Sequence, residues 1–207
     1  MPELSVAGGA FSNMTGHSEW SHGYRRLGSR GLPEMRGAAA LAPTARFEGY
    51  GPGTAALLVD CVTTDRERTA ETLRRLFARH GGALGAAGSV SYLFQPVAQL
   101  AFAAGADTRS LAAAALEAGA EEAVTHTDGS VDVLADPAEC TLVRERLIGL
   151  GFHPESTELT ERAAVAARLE GGDARLMLTL LDALERLPEV RNVYTNVEIS
   201  DPGLARL

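Results

Sequence analysis

From Phe47 to Phe94 the chain runs FEGYGPGTAALLVDCVTTDRERTAETLRRLFARHGGALGAAGSVSYLF, a strand, a helix and a strand with glycine-rich turns at both ends. TAALLVDCV (54–62) is an apolar run of strand length. Thr64 or Asp65 can cap the helix that follows, on which Thr69, Leu73, Leu76, Phe77 and His80 share one face. Gly81 and Gly82 end that helix, because glycine tolerates the left-handed C-terminal position. Ser89 to Phe94 alternates and is rich in β-formers, and Val97 to Ala103 repeats the pattern after Pro96, giving the order β-α-β-β. The block holds no nucleophile–base pair and no metal-ligand cluster, so it offers contact, not catalysis.

A second unit opens with a helix from about Ser110 to Ala118, closed by Gly119. Val124–Thr127 and Ser130–Val133 flank Asp128-Gly129, a dipeptide suited to a two-residue hairpin turn. Asp136-Pro137-Ala138-Glu139 reads as the start of a helix reaching Leu150, and a short extended segment follows at Ser156 to Leu159. Asp173 opens an amphipathic helix carrying Leu176, Leu180, Leu184 and Leu187, stopped by Pro188. Val193, Thr195, Val197 and Ile199 form a last alternating strand. Returning to the first unit, that helix and strand would complete a β-α-β-β-α-β sandwich, with α-β-β-α-β inserted within it.

The 207 residues suffice for one large or two small domains. All 19 basic residues are arginine, and the net charge of −8 argues against indiscriminate coating of nucleic acid. The charge is uneven: residues 1–100 carry 10 arginines and 8 carboxylates, whereas residues 101–207 carry 9 and 19. A polyanion contact therefore belongs to the first half. Cys61 and Cys140 lie in apolar patterns without a CxxC and read as reduced core thiols of a cytoplasmic protein. No apolar run is long enough to span a membrane, and the N-terminus has no basic-then-apolar export pattern.

Several segments resemble the YebC family, which includes bacterial gene-expression regulators and the mitochondrial translational activator of cytochrome oxidase subunit I. They are Met14-Thr15-Gly16-His17-Ser18-Glu19-Trp20, the block from Glu48, ALEAGAEEAV (115–124) and VYTNVEIS (193–200), and the resemblance covers roughly Arg46 to Asp201. It implies an α+β fold of two ferredoxin-like α/β sandwich domains, the second inserted in the first. On that basis 1–45 is a short irregular N-terminal arm, 46–104 with 170–207 the first domain, and 105–169 the inserted one. It also implies a non-enzymatic regulator of gene expression acting through DNA, RNA or the ribosome, with no cofactor or metal. The competing reading is a protein–protein or ligand-sensing module.

This chain resembles a shortened and diverged member. Translation is expected to start at Met14, and only Ser21 to Ala45 stand where the family has a helical domain. The family's EGYGPGG ends here in Thr54, and polar residues of its second glycine loop are replaced by Ala83, Ala86 and Ala87. The candidate nucleic-acid or ribosome contacts are Arg66, Arg68, Arg74, Arg75 and Arg79 on the first helix, with Arg25, Arg26, His17 and Trp20 in the arm. Guanidinium forks suit phosphate oxygens, and a helix start attracts anions. Against this, the same arginines could be a solvated face paired with Asp65, Glu67 and Glu71. The loop Glu48-Gly49-Tyr50-Gly51-Pro52-Gly53 could approach RNA or protein closely, or simply be a tight turn with Tyr50 as a packing plug. It leads into a strand, so it is no dinucleotide fingerprint. His80, His126 and His153 read as structural.

Overall fold

The computed structural model describes residues 43–199 apart from Ala106 and Thr127. The expected irregular arm, the Met14 start, and Arg25, Arg26, His17 and Trp20 lie outside the described residues. The fold is α+β.

Strands β1 (Thr44–Tyr50) and β2 (Ala56–Val62) form an antiparallel hairpin whose bend is a 3-10 turn at Pro52–Thr54. Helix α1 (Arg66–Arg79) starts at Asp65, whose carboxylate accepts the backbone N–H of Arg68, and leads to the two-residue strand β3 (Ala83–Leu84). After the second lobe, described next, come β8 (Ala167–Leu169), α4 (Gly171–Glu185), β9 (Val190–Thr195) and β10 (Val197–Ile199). The first sheet has the order β3-β1-β2-β9, and β8 and β10 pair parallel beside it. One face of this sheet carries Phe47, Leu57, Val59, Cys61 and Val193, and α1 and α4 cover it with Leu73, Phe77, Met177, Leu180, Leu181 and Leu184. Full burial of Phe77 alone contributes about 3 kcal/mol. The 3.6-residue period of the helices and the period of two in the strands put these side chains together.

The second lobe runs β4 (Phe94–Phe102), α2 (Thr108–Glu117), β5 (Glu122–Thr125), β6 (Val131–Ala135), α3 (Cys140–Gly149) and β7 (Ser156–Ala163). Its antiparallel sheet has the order β5-β6-β4-β7, a complete ferredoxin-like β-α-β-β-α-β unit. Leu100, Phe102, Val131 and Val133 meet Leu111, Ala115, Val143 and Leu147 beneath the two helices.

Several sequence expectations need correction. Val97–Ala103 was expected as a strand of the first unit; instead β4 pairs with β6 and β7, so the second sheet opens at Phe94 rather than after residue 104. Its strands end at Ala163, whereas the inserted unit was expected to run to residue 169. Ser89–Phe94 was expected as a strand but makes a 3-10 turn over Ser91–Leu93. Pro96 lies inside β4, not between strands, because pairing with β6 begins only at Ala98 and the missing N–H faces an incomplete ladder. At Asp128-Gly129 the strand pairing stops at Thr125 and Val131, and His126 N–H donates to Ser130 O at 2.9 Å, so the connection is longer than a two-residue turn. β1 is an additional strand in a segment read as a turn.

Candidate nucleic-acid interface

The five arginines of α1 are all exposed, yet they do not form one patch. At about 100° per residue, Arg68, Arg75 and Arg79 fall within about 40° of one another, opposite Thr69, Leu73 and Phe77. The helical rise spaces them by about 10 and 6 Å along the axis. Arg68 and Arg79 make no side-chain hydrogen bond or ion pair among the described residues. Arg75 Nε donates to Glu71 Oε1 at 3.0 Å, and Arg74 Nη1 donates to Oε2 at 2.6 Å. Arg75 first, then Arg74, hold the Glu71 carboxyl below its ordinary range. One carboxylate thus shares two exposed guanidiniums, a weak restraint that a polyanion can displace.

Arg66 is differently placed. Its Nη2 donates to Arg46 O at 3.2 Å, and its guanidinium carbon lies 4.7 Å from the centroid of the Phe47 ring. This cation–π contact folds Arg66 back on β1, away from the Arg68–Arg75–Arg79 stripe.

The Glu48–Gly53 loop works as a joint. Glu48 is buried on the back of the first sheet, where its carboxylate accepts N–H groups from Gly88 at 2.7 Å and from Val90 and Ser91 at 2.8 Å each. Burial pushes its pKa up, but the three backbone donors outweigh that and hold it below the ordinary value. Glu48 O accepts Gly85 N–H at 2.8 Å, and Tyr50 OH donates to Ser89 O at 2.7 Å. Glu48 and Tyr50 therefore pin the second glycine loop beside the cluster of Ala56, Leu58, Val90, Phe94 and Tyr194. A Cβ on Gly49 would lie 2.6 Å from the Phe77 ring and 2.9 Å from Ala83 O, so that glycine lets α1 approach the hairpin. Gly51 N–H closes the bend onto Ala55 O at 2.7 Å, and Pro52 is buried within it.

Gly53 and Thr54 both have φ of +62°. Thr54 is exposed and β-branched, and a threonine in the left-handed region is strained by about 1–2 kcal/mol. Thr54→Gly relieves that strain, offset in part by greater freedom of the unfolded chain. The expected result is a gain of about 1 kcal/mol, read as a Tm about 2–4 °C higher in thermal melts.

Sequence reasoning missed Arg46, Tyr194 and Asn196. Arg46 bridges Asp60 and Glu161; the hydrogen bond to Asp60 foremost holds its guanidinium protonated, against the opposing effect of burial. Asn196 Oδ1 accepts Ala56 N–H at 2.8 Å, and its Nδ2 donates to Val165 O at 3.0 Å. VYTNVEIS resembles the family only as a whole segment, and nothing local in the sequence marks Arg46. Burial pushes the Cys61 thiol up to about 12, which leaves it un-ionised at neutral pH. Among the described residues, no three His, Cys, Asp or Glu side chains are placed to hold a metal ion together, and no helix is long and apolar enough to cross a membrane.

Residues 43–197 match the profile of the TACO1/YebC second and third domain. The chain belongs to the TACO1/YebC family. A probable transcriptional regulatory protein of Francisella tularensis subsp. tularensis is 44% identical over 155 residues, 75% of this chain and 62% of that protein. One from Methylococcus capsulatus is 46% identical over 162 residues, 78% of this chain and 65% of its own length. The chain thus spans less than two thirds of the length of these curated relatives. The crystal structure of a conserved hypothetical protein of Aquifex aeolicus is similar with a TM-score of 0.69 and 33% identity, over 77% of this chain and 66% of that one. The joint formed by Glu48, Tyr50 and the second glycine loop lies wholly within the region matched to TACO1/YebC.

Proposed function

We propose that this chain is a non-enzymatic, cytoplasmic regulator of gene expression that contacts nucleic acid through the outer face of α1, with structured RNA of the ribosome as the favoured target. The observation that carries this reading is the Arg68–Arg75–Arg79 stripe, which lies opposite the buried face of the helix and whose two end arginines have no side-chain partner among the described residues. The names of the TACO1/YebC relatives as probable transcriptional regulatory proteins support the regulatory role. Residues 105–169 carry 12 carboxylates against 5 arginines, a balance that repels a duplex laid across the whole surface. A local contact by α1 within a larger ribonucleoprotein particle avoids that repulsion.

A protein-binding role is the second reading, favoured by the engagement of Arg74 and Arg75 with Glu71. A sucrose gradient of cell lysate separates the two. The expected result is migration with ribosomal particles at low salt and release at moderate salt, because phosphate contacts weaken steeply with salt. Migration at the top of both gradients would count against a ribosomal target.

A further inference from the structure

Arg46 stands where the two lobes meet. On the back of β1 its Nε and Nη2 donate to Asp60 Oδ1 and Oδ2 at 2.7 and 3.0 Å, and its Nη1 donates to Glu161 Oε1 of β7 at 2.7 Å. Its guanidinium carbon lies 5.8 Å from the centroid of Tyr194 on β9. Beside it lies the small apolar cluster of Ala56, Leu58, Val90, Phe94 and Tyr194, with Tyr50, Leu93 and Ala163 packed against it. The chain crosses between the lobes at the segment before Phe94 and again after Ala163. Two lobes joined by a small interface move relative to each other unless something fixes their angle.

We infer that Arg46 is an ionic latch that sets the angle between the lobes, with Glu161 as its catch. Asp60 anchors the guanidinium in the first lobe and fixes its plane, so closing onto Glu161 costs little further side-chain entropy. The Glu161 side chain is only 13% exposed and Asp60 22%, which shields the pair from dilute salt. When a neutral side chain replaces Glu161, or when concentrated salt screens the pair, the lobes hinge at the two crossings. Removing Glu161 is also the cleaner perturbation: Arg46 keeps Asp60, and no half-buried cation is left unpaired.

The test places spin labels on Thr72 of α1 and Glu145 of α3, both exposed, in the full chain with Cys61→Ala and Cys140→Ala. Pulsed electron resonance then reads the distance between the lobes. The parent is expected to give one narrow distribution at low salt. Glu161→Gln should broaden it and add a second population, and salt of about 1 M, where the screening length is ~3 Å, should do the same to the parent. Glu121→Gln removes a partner of Arg162 within the second lobe and should change nothing. Small-angle scattering of unlabelled Glu161→Gln reads the same opening without cysteine replacement, as a larger radius of gyration than the parent. A Glu161→Gln distribution superimposable on the parent at both salt concentrations, or an unchanged radius of gyration, would overturn the latch.

Discussion

Glu48→Ala is expected to cost about 3–5 kcal/mol, a large share of the stability of an ordinary domain. The N–H groups of Gly88, Val90 and Ser91 lose a charged acceptor, and that of Val90 is left buried without one. The glycine loop then lifts from the back of the first sheet and uncovers Val90 and Phe94. Thermal melts should show a Tm lower by roughly 10 °C. Amide exchange at Gly88, Val90 and Ser91 should accelerate more than exchange in α3. Glu48→Gln keeps one acceptor but turns an NH2 toward a donor, so it should fall between the two. The pH dependence has a definite sign. The folded-state pKa of Glu48 lies below its unfolded value, so its contribution is full above the ordinary glutamate pKa of ~4.3 and is lost as pH falls through the folded value. The stability gap between the parent and Glu48→Ala should therefore be flat from neutrality to about pH 5 and close below about pH 4. A gap that widened on acidification would contradict this role for the carboxylate.

The triple variant Arg68→Glu, Arg75→Glu, Arg79→Glu is expected to lose about 100-fold or more in affinity for RNA at ~0.1 M salt. All three side chains are exposed, so its stability should stay within about 1 kcal/mol of the parent. Arg66→Ala should behave in the opposite way. It gives up the Phe47 ring and the Arg46 carbonyl, lowering stability modestly, while affinity changes only a few-fold. Filter binding beside urea melts separates the two effects. Equal affinity losses from Arg66→Ala and from the triple variant would show that the stripe is not the contact surface.

The helix α1 was legible because its signals are local: an apolar face at helical spacing, Asp65 at the start, and Gly81 and Gly82 at the end. The strand β1 was not. Arg46 and Glu48 do alternate with Ala45 and Phe47, but the pattern is short and runs into Gly49, Gly51, Pro52 and Gly53, which read as a turn. The sheet to which β4 belongs is set by Ala98 facing Ala135 on one side and Leu159 on the other, partners far along the chain with no local signature. The Arg46–Glu161 bridge spans 115 positions and was invisible for the same reason. For the candidate site, the five arginines of α1 could be named from the sequence, but not how the helix divides them. That Arg74 and Arg75 share Glu71 follows from helical spacing; that Arg66 turns back onto Phe47 follows from a hairpin the sequence did not announce.

A phosphate backbone lying against the outer face of α1 makes RNA binding weaken as salt rises. Affinity for a structured ribosomal RNA fragment, measured from about 0.05 to 0.2 M salt, should fall along a line of log affinity against log salt with a slope of roughly −2 to −3, as three phosphate contacts require. The triple variant should flatten that line toward zero. A parent slope already near zero, or a slope unchanged in the triple variant, would contradict a phosphate contact at the outer face of α1.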